Sequence, residues 1–271
     1  MATKIIGIRF QKIGKIYHFD ATRSPEVKID DFVIVETSRG KQIGRVVVKL
    51  DKSRKTKGEN IKPILRKATP RDLLVRQLWQ RKEEEALLQC REKAREYKIL
   101  GVKFVATEFT YDGKRLTIFF SSEGEEKVDL KRFHKAIARM YPKQRVELKQ
   151  IGPRDVAKII GGLGACGIAE RCCSRFLTEF NPISIKMAKT QGISLAPSEI
   201  TGMCGRLRCC LLYEHEQYAA IKARMPKKGK RVITPLGEGK VIGMRMLSEM
   251  VVVELENAGQ KVFHLDEIKI K

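Results

Sequence analysis

Six of the seven cysteines fall into two short clusters that repeat one pattern. The first runs Gly164-Ala165-Cys166-Gly167 and closes on Arg171-Cys172-Cys173; the second runs Gly202-Met203-Cys204-Gly205 and closes on Arg208-Cys209-Cys210. Thiolates are soft donors that suit zinc or iron–sulfur clusters. A cluster also needs tight backbone loops whose amides reach the sulfides. Gly164, Gly167, Gly202 and Gly205 beside the cysteines permit that close approach. Arg171 and Arg208 either offset the negative charge of a thiolate-ligated cluster or decorate the surface. The residues therefore point to a metal centre, iron–sulfur in the first instance.

Ligand arithmetic separates the metals. A closed zinc site takes four ligands, typically from paired C-x-x-C knuckles. Here each motif offers one cysteine and then an adjacent pair. Two vicinal thiols strain around one small ion and fit a larger cluster, or two centres, more easily. Six thiols are too few for two all-cysteine cubanes, which take four each. Either one cluster forms, or two form with ligands from another chain. The alternative is a pair of loops with structural zinc or unmetallated thiols. A thiol oxidoreductase fits less well, because no Cys-x-x-Cys stands beside a βαβ pattern. There is no phosphate loop, Gly-x-Gly-x-x-Gly, His-Glu-x-x-His or nucleophile elbow. Cys90 has no cysteine neighbour and lies in a helical apolar pattern, which makes it a core residue outside the site. His215, just past Cys210, reads as exposed in preference to a ligand, and His134 as a surface histidine.

The 271 residues allow two or three small domains, and the 42% hydrophobic content supports buried cores. No apolar run approaches the length of a membrane-spanning helix. The start, Met1-Ala2-Thr3-Lys4-Ile5-Ile6-Gly7, has no signal-peptide core, so the expected compartment is a reducing cytoplasm. There, clustered cysteines are metal ligands or redox groups more often than disulfides. The net charge is +23, and its excess is spread along the chain without a single stripe. The densest stretch, residues 49–67, has eight basic and two acidic residues and reads equally as a nucleic-acid contact or a solvated loop. Such a field attracts RNA or DNA without specifying either.

The elements that must position the cysteines read as an α+β chain in four parts. Residues 1–65 are a small β-barrel-like domain, with strands flanking a turn at Ser38-Arg39-Gly40. Residues 66–152 read as a ferredoxin-like α/β unit. Thr69-Pro70 opens a long helix whose apolar stripe runs through Leu74, Leu78, Leu87, Cys90, Ala94 and Tyr97. A hairpin turning at Asp112-Gly113, a helix carrying Phe133 and Ile137, and a strand follow. Residues 153–225 are the cysteine-rich segment, with a helix from Pro153 to Ile160, a break at Gly161-Gly162 and a continuous helix over 211–224. Residues 226–271 are strand-rich and read as an SH3-like barrel, an interaction module.

At the cysteine block the chain resembles the bacterial YaaT/RicT family. The resemblance rests on Gly161-Gly162-Leu163-Gly164-Ala165-Cys166-Gly167, Cys172-Cys173-Ser174-Arg175-Phe176-Leu177, Pro182-Ile183-Ser184-Ile185-Lys186-Met187-Ala188-Lys189 and Gly202-Met203-Cys204-Gly205-Arg206-Leu207-Arg208-Cys209-Cys210. Gly7-Ile8-Arg9-Phe10, Gly14-Lys15-Ile16-Tyr17 and Arg71-Asp72-Leu73-Leu74 extend it over nearly the whole chain. The resemblance implies a non-catalytic cytoplasmic protein that joins small helical partners of the YlbF and YmcA type in a complex carrying [4Fe–4S] clusters. That complex is associated with ribonuclease Y and mRNA maturation, and with sporulation, competence and biofilm development. Direct RNA contact is implied for proteins sharing the family's C-terminal region. By motif match Cys166, Cys172, Cys173, Cys204, Cys209 and Cys210 are the ligands, with the remaining thiolates supplied by partners. One departure stands out: the family's first motif usually has four residues between its lone cysteine and the pair. The second motif here keeps that spacing, whereas five residues separate Cys166 from Cys172.

Overall fold

A computed structural model describes residues 4–10, 16–38, 40–50, 61–122, 124, 128–177 and 180–270. Gly14, Lys15, Arg39, the first three residues and positions 51–60 of the basic stretch lie outside the described residues. The fold is α+β, with three sheets and eight α-helices among the described residues. It divides into two compact units, Met1–Glu179 and Phe180–Lys271. The dividing line passes between the two cysteine motifs.

The first unit opens with an antiparallel sheet of β1 (Ile5–Arg9), β2 (Tyr17–Asp20), β3 (Phe32–Thr37), β4 (Gly40–Leu50) and β5 (Ile64–Lys67), in the order β2-β1-β4-β3-β5. Its edges approach each other: the Asp20 amide donates to the Lys62 carbonyl at 2.9 Å, beside a bridge from Asp20 to Pro63. Alternation puts Ile6, Ile8, Val33, Val35 and Val46 into one core. The last strand crosses position 65, so residues 66 and 67 belong to this sheet.

Helix α1 (Pro70–Glu96) begins where the sequence predicts. Thr69 is its N-cap in a capping box with Asp72, and Pro70 takes the first helical position. Asp72 is buried and receives the Thr69 amide (2.7 Å), the Arg66 guanidinium and the Tyr111 hydroxyl. One carboxylate thus ties β5, the helix start and the hairpin beyond it. The Arg66 contact, above all, holds the Asp72 carboxyl well below the usual carboxylate range.

The buried face of α1 differs from the predicted stripe. Leu74 and Leu78 are 60% and 58% exposed. The face on the core carries Trp79, Ala86, Leu87, Cys90 and Ala94, packed on β6 (Val102–Phe109) and β7 (Arg115–Ser122). Trp79 fixes the phase: it stacks on Phe109 at 5.0 Å and gives its indole N–H to the Tyr111 carbonyl at 3.1 Å. A Cβ on Gly113, in the predicted turn, would lie 2.4 Å from that indole. Cys90 is fully buried, as expected, and burial pushes its thiol up to about 12.

Helix α2 (Lys131–Met140) and β8 (Arg145–Gln150) complete the predicted element order. The sheet order is β6-β7-β8, with β7 and β8 parallel and adjacent. A ferredoxin-like unit splits such a parallel pair with a further strand. The strand preceding α1 pairs instead with the first sheet, so the βαβ crossover here is unsplit. His134 is half-buried on α2, its Nε2 within 2.9 Å of the Val146 carbonyl, and is tied to β8 where a surface position was expected. Helices α3 (Pro153–Ile160) and α4 (Cys172–Arg175) end the described part of this unit.

The second unit holds α5 (Ile185–Gln191), α6 (Pro197–Ile200), α7 (Cys210–Tyr213) and α8 (His215–Arg224). Helices α7 and α8 break at Glu214, where one continuous helix was expected. A small core of Ala188, Ile200 and Leu211 gathers Ile183, Met187, Ile193 and Leu207 around it. The strands β9 (Arg231–Thr234), β10 (Gly237–Arg245), β11 (Met250–Leu255), β12 (Gly259–His264) and β13 (Lys269–Ile270) pair antiparallel in the order β12-β11-β10-β9-β13. Val232, Val241, Val251 and Val253 are fully buried beneath that sheet.

Candidate metal centre

Each cysteine motif folds into the same hydrogen-bonded loop. In the first, the Gly164 amide donates to Ile168 O at 2.9 Å and the Gly167 amide to Gly164 O at 3.0 Å. In the second, Gly202 donates to Arg206 O at 2.8 Å and Gly205 to Gly202 O at 2.9 Å. Gly167 (φ +83°) and Gly205 (φ +72°) turn the chain through the left-handed region that side chains disfavour. The lone cysteine projects from each turn above the motif's first glycine. A Cβ at Gly164 would lie 3.4 Å from Cys166 Sγ, and one at Gly202 3.8 Å from Cys204 Sγ.

The arginines anchor these loops, so neither is mere surface decoration. Arg171 donates Nε to Leu163 O (2.9 Å) and Nη1 to Ala157 O (2.8 Å), and its amide bonds Gly162 O at 3.2 Å. Arg208 repeats the set: Nε to Thr201 O (3.3 Å), Nη2 to Ser198 O (2.7 Å), and its amide to Ile200 O at 2.8 Å. Each guanidinium therefore binds the residue before the motif and a carbonyl of the preceding helix, α3 or α6. Cations near a helix C-terminus are favoured by its exposed carbonyls.

The adjacent cysteines start the next helical turn. Cys172 and Cys173 begin α4; Cys209 caps α7 and Cys210 begins it. The Ser174 amide returns to Arg171 O and the Leu211 amide to Arg208 O. This aligns Cys172 with Cys209 and Cys173 with Cys210. The extra residue of the first motif is taken up by Ala169-Glu170, opposite the single Leu207, after the turn has closed and before the arginine anchors. It leaves the register of the cysteines intact.

Exposure grades the thiols. Cys166 is exposed; Cys172, Cys204, Cys209 and Cys210 are half-buried; Cys173 is buried. Among the described residues no three His, Cys, Asp or Glu side chains come close enough to share a metal ion. The donor chemistry suits a thiolate-bound metal, and no closed site is assembled among the described residues. What the chain presents is two sets of thiols carried on hydrogen-bonded turns, graded from exposed Cys166 to buried Cys173. His215 is half-buried, not exposed as expected, and among the described residues its Nδ1 has no hydrogen-bond partner. Sequence reasoning missed Ser174 and Leu211, the buried residues that seat each loop. Aligning Arg171-Cys172-Cys173-Ser174 with Arg208-Cys209-Cys210-Leu211 would have found both.

Among curated proteins, the chain is 41% identical over 258 residues to a protein named stage 0 sporulation protein YaaT from Bacillus subtilis, covering 93% of this chain and 90% of that one. The chain belongs to the YaaT/RicT family. An uncharacterized protein of Schizosaccharomyces pombe is 24% identical over 156 residues, 46% of this chain and 20% of its own length. Two family models match within this YaaT/RicT member: the PSP1 C-terminal conserved region over residues 62–151 and the PSP1-like protein third domain over 182–225. The second cysteine loop lies within a matched region and the first lies between the two. No solved structure matches the chain. Among the described residues no helix is long and apolar enough to cross a membrane.

Proposed function

We propose that this chain is a non-catalytic cytoplasmic adaptor whose two cysteine loops contribute thiolates to iron–sulfur clusters completed by partner proteins. The observation that carries this reading is the repetition of one loop, hydrogen bond for hydrogen bond, in two different settings. A loop kept for its own packing would not need a cysteine sulfur above the same glycine twice. Bound there, a [4Fe–4S] cluster would supply a redox-sensitive, structure-ordering joint, with Cys166, Cys172, Cys173, Cys204, Cys209 and Cys210 as this chain's donors. Exposed apolar side chains stand around the first loop: Ile160, Leu163, Ile168 and Phe176. A partner covering them would exclude water from the cluster.

Family resemblance supplies the expected partners, small helical proteins of the YlbF and YmcA type, and the process, mRNA maturation by ribonuclease Y. The name of the Bacillus subtilis relative adds a sporulation role. The C-terminal strands, closed by the turn Leu265–Glu267 before β13, support an SH3-like interaction module. The α1-to-β8 segment supports a small α/β scaffold with an unsplit βαβ crossover in place of the ferredoxin-like topology. Anaerobic purification with and without the partners tests the reading. Iron and acid-labile sulfide should appear in comparable amounts and rise with the partners present; zinc without sulfide sinks it.

The +23 net charge favours a second reading, an RNA- or DNA-binding module whose loops hold structural zinc or bare thiols. It expects salt-sensitive RNA binding that survives replacement of Cys204 and Cys209 by serine. Binding lost together with the metal counts against it.

A further inference from the structure

The first unit contains a cavity of about 300 Å³, walled by the first sheet, α1, the β6–β7 hairpin and α3. Its aromatic wall is already committed. Trp79 has Phe109 stacked at 5.0 Å, the Lys82 ammonium 4.8 Å from its ring centroid, and its N–H given to Tyr111. What remains is charge. Arg76 and Lys158 both line the cavity. Burial lowers the basicity of Arg76, and among the described residues neither side chain has a hydrogen bond or a close ion pair; the charges of Glu83 and Asp155 reach Arg76 and Lys158 only through space. Arg76 only packs its guanidinium 5.0 Å over the Phe32 ring.

Two carboxylates, Glu83 and Glu108, also line the cavity. Glu83 accepts the Phe109 amide (2.8 Å), burial pushes its carboxyl up to about 7, and its charge reaches Arg76 through space without a hydrogen bond between them. Arg9, whose charge reaches Lys158, has a buried Nε without a hydrogen-bond partner among the described residues. Desolvated cations are ordinarily paired, and unpaired ones in a cleft mark a missing anion.

We propose that this cavity binds a small metabolite bearing an oxyanion group, phosphate or carboxylate, held between the Arg76 guanidinium and the Lys158 ammonium. The volume is at the lower end for ligand sites and exceeds that of a bare ion. Arginine contributes a planar fork and lysine a point charge, a common pairing for such groups.

Calorimetric titration of the full chain with pyrophosphate and with citrate, at physiological ionic strength, tests this. Saturable one-to-one binding of at least one probe is expected, and the better probe distinguishes phosphate from carboxylate. Arg76→Met and Lys158→Met should each weaken binding by at least about tenfold. Gln80→Glu places a negative charge on the exposed rim without disturbing the core, and should weaken binding in a protein that still folds. Lys230→Met, on an exposed lysine of the other unit, should leave affinity unchanged. The proposal is overturned if folded wild-type protein binds neither probe saturably. It is equally overturned if binding persists unchanged in Arg76→Met, Lys158→Met and Gln80→Glu, or falls as much in Lys230→Met as in Lys158→Met.

Discussion

The two cysteine loops share a backbone and differ in what holds them. The second is seated on its own apolar core, with fully buried Leu211 beneath the adjacent cysteines and Leu207 packed against that core. The first has Ser174 at the position of Leu211, buried and hydrogen-bonded through Oγ to the Lys158 carbonyl at 3.0 Å. It also has Ala169 and Glu170, both exposed, where the other has Leu207. One motif is thus anchored by burial and the other by a hydrogen bond to the helix before it. The turn and the arginine clamp are the minimal unit, and the support beneath is interchangeable.

The widest contrast concerns accessibility. At pH 8, Cys90 should alkylate on the order of a thousandfold more slowly than a thiol of ordinary acidity, because its thiolate is suppressed by burial. Peptide mapping should find Cys166 labelled first and Cys173 last among the six loop thiols; Cys173 reacting as fast as Cys210 would show that the first loop opens. Leu211→Ala should destabilise the second unit by about 3 kcal/mol, read by denaturant unfolding, since a fully buried leucine leaves a cavity. Gly167→Ala and Gly205→Ala should each cost about 1–2 kcal/mol, because both force a side chain into the left-handed region. Equal costs would confirm that the two turns are the same device, and a large difference would break the equivalence. Ser174→Ala should cost about 1 kcal/mol, the net worth of one buried hydrogen bond; a cost matching Leu211→Ala would erase the distinction between the two supports. Deleting Ala169, which restores the shorter spacing, should change stability by less than about 0.5 kcal/mol and leave Cys166 labelling as it was.

Local signals in the sequence carried much of this. The Thr69-Pro70-Arg71-Asp72 start, the Asp112-Gly113 turn, the core position of Cys90 and the likeness of the two motifs all depend on residues close in the chain. What escaped depends on partners far away or without side-chain signature. Helix α1 has two competing apolar faces, one through Leu74, Leu78 and Leu88 and one through Trp79, Ala86 and Cys90. Only the sheet beneath decides between them, through the bulk of Trp79. The strand before α1 is short enough to join either sheet, and its pairing with β3 leaves the βαβ crossover unsplit. Arg171 and Arg208 bind backbone carbonyls, and a carbonyl has no letter in the sequence. The Glu214 break carries no glycine or proline to announce it.

The Asp72 node has a consequence for acid. Its carboxyl is held below its ordinary range by Arg66 first, with Tyr111 and Thr69 contributing. A group depressed in the folded state adds stability above its unfolded pKa and loses it as the solution acidifies past that point. The join between the first sheet, α1 and the β6–β7 hairpin therefore behaves as an acid-released clasp, closed at neutral pH and loosening below about pH 4. Unfolding followed by Trp79 fluorescence should shift to lower denaturant as pH falls through that range, and Asp72→Asn should remove the shift.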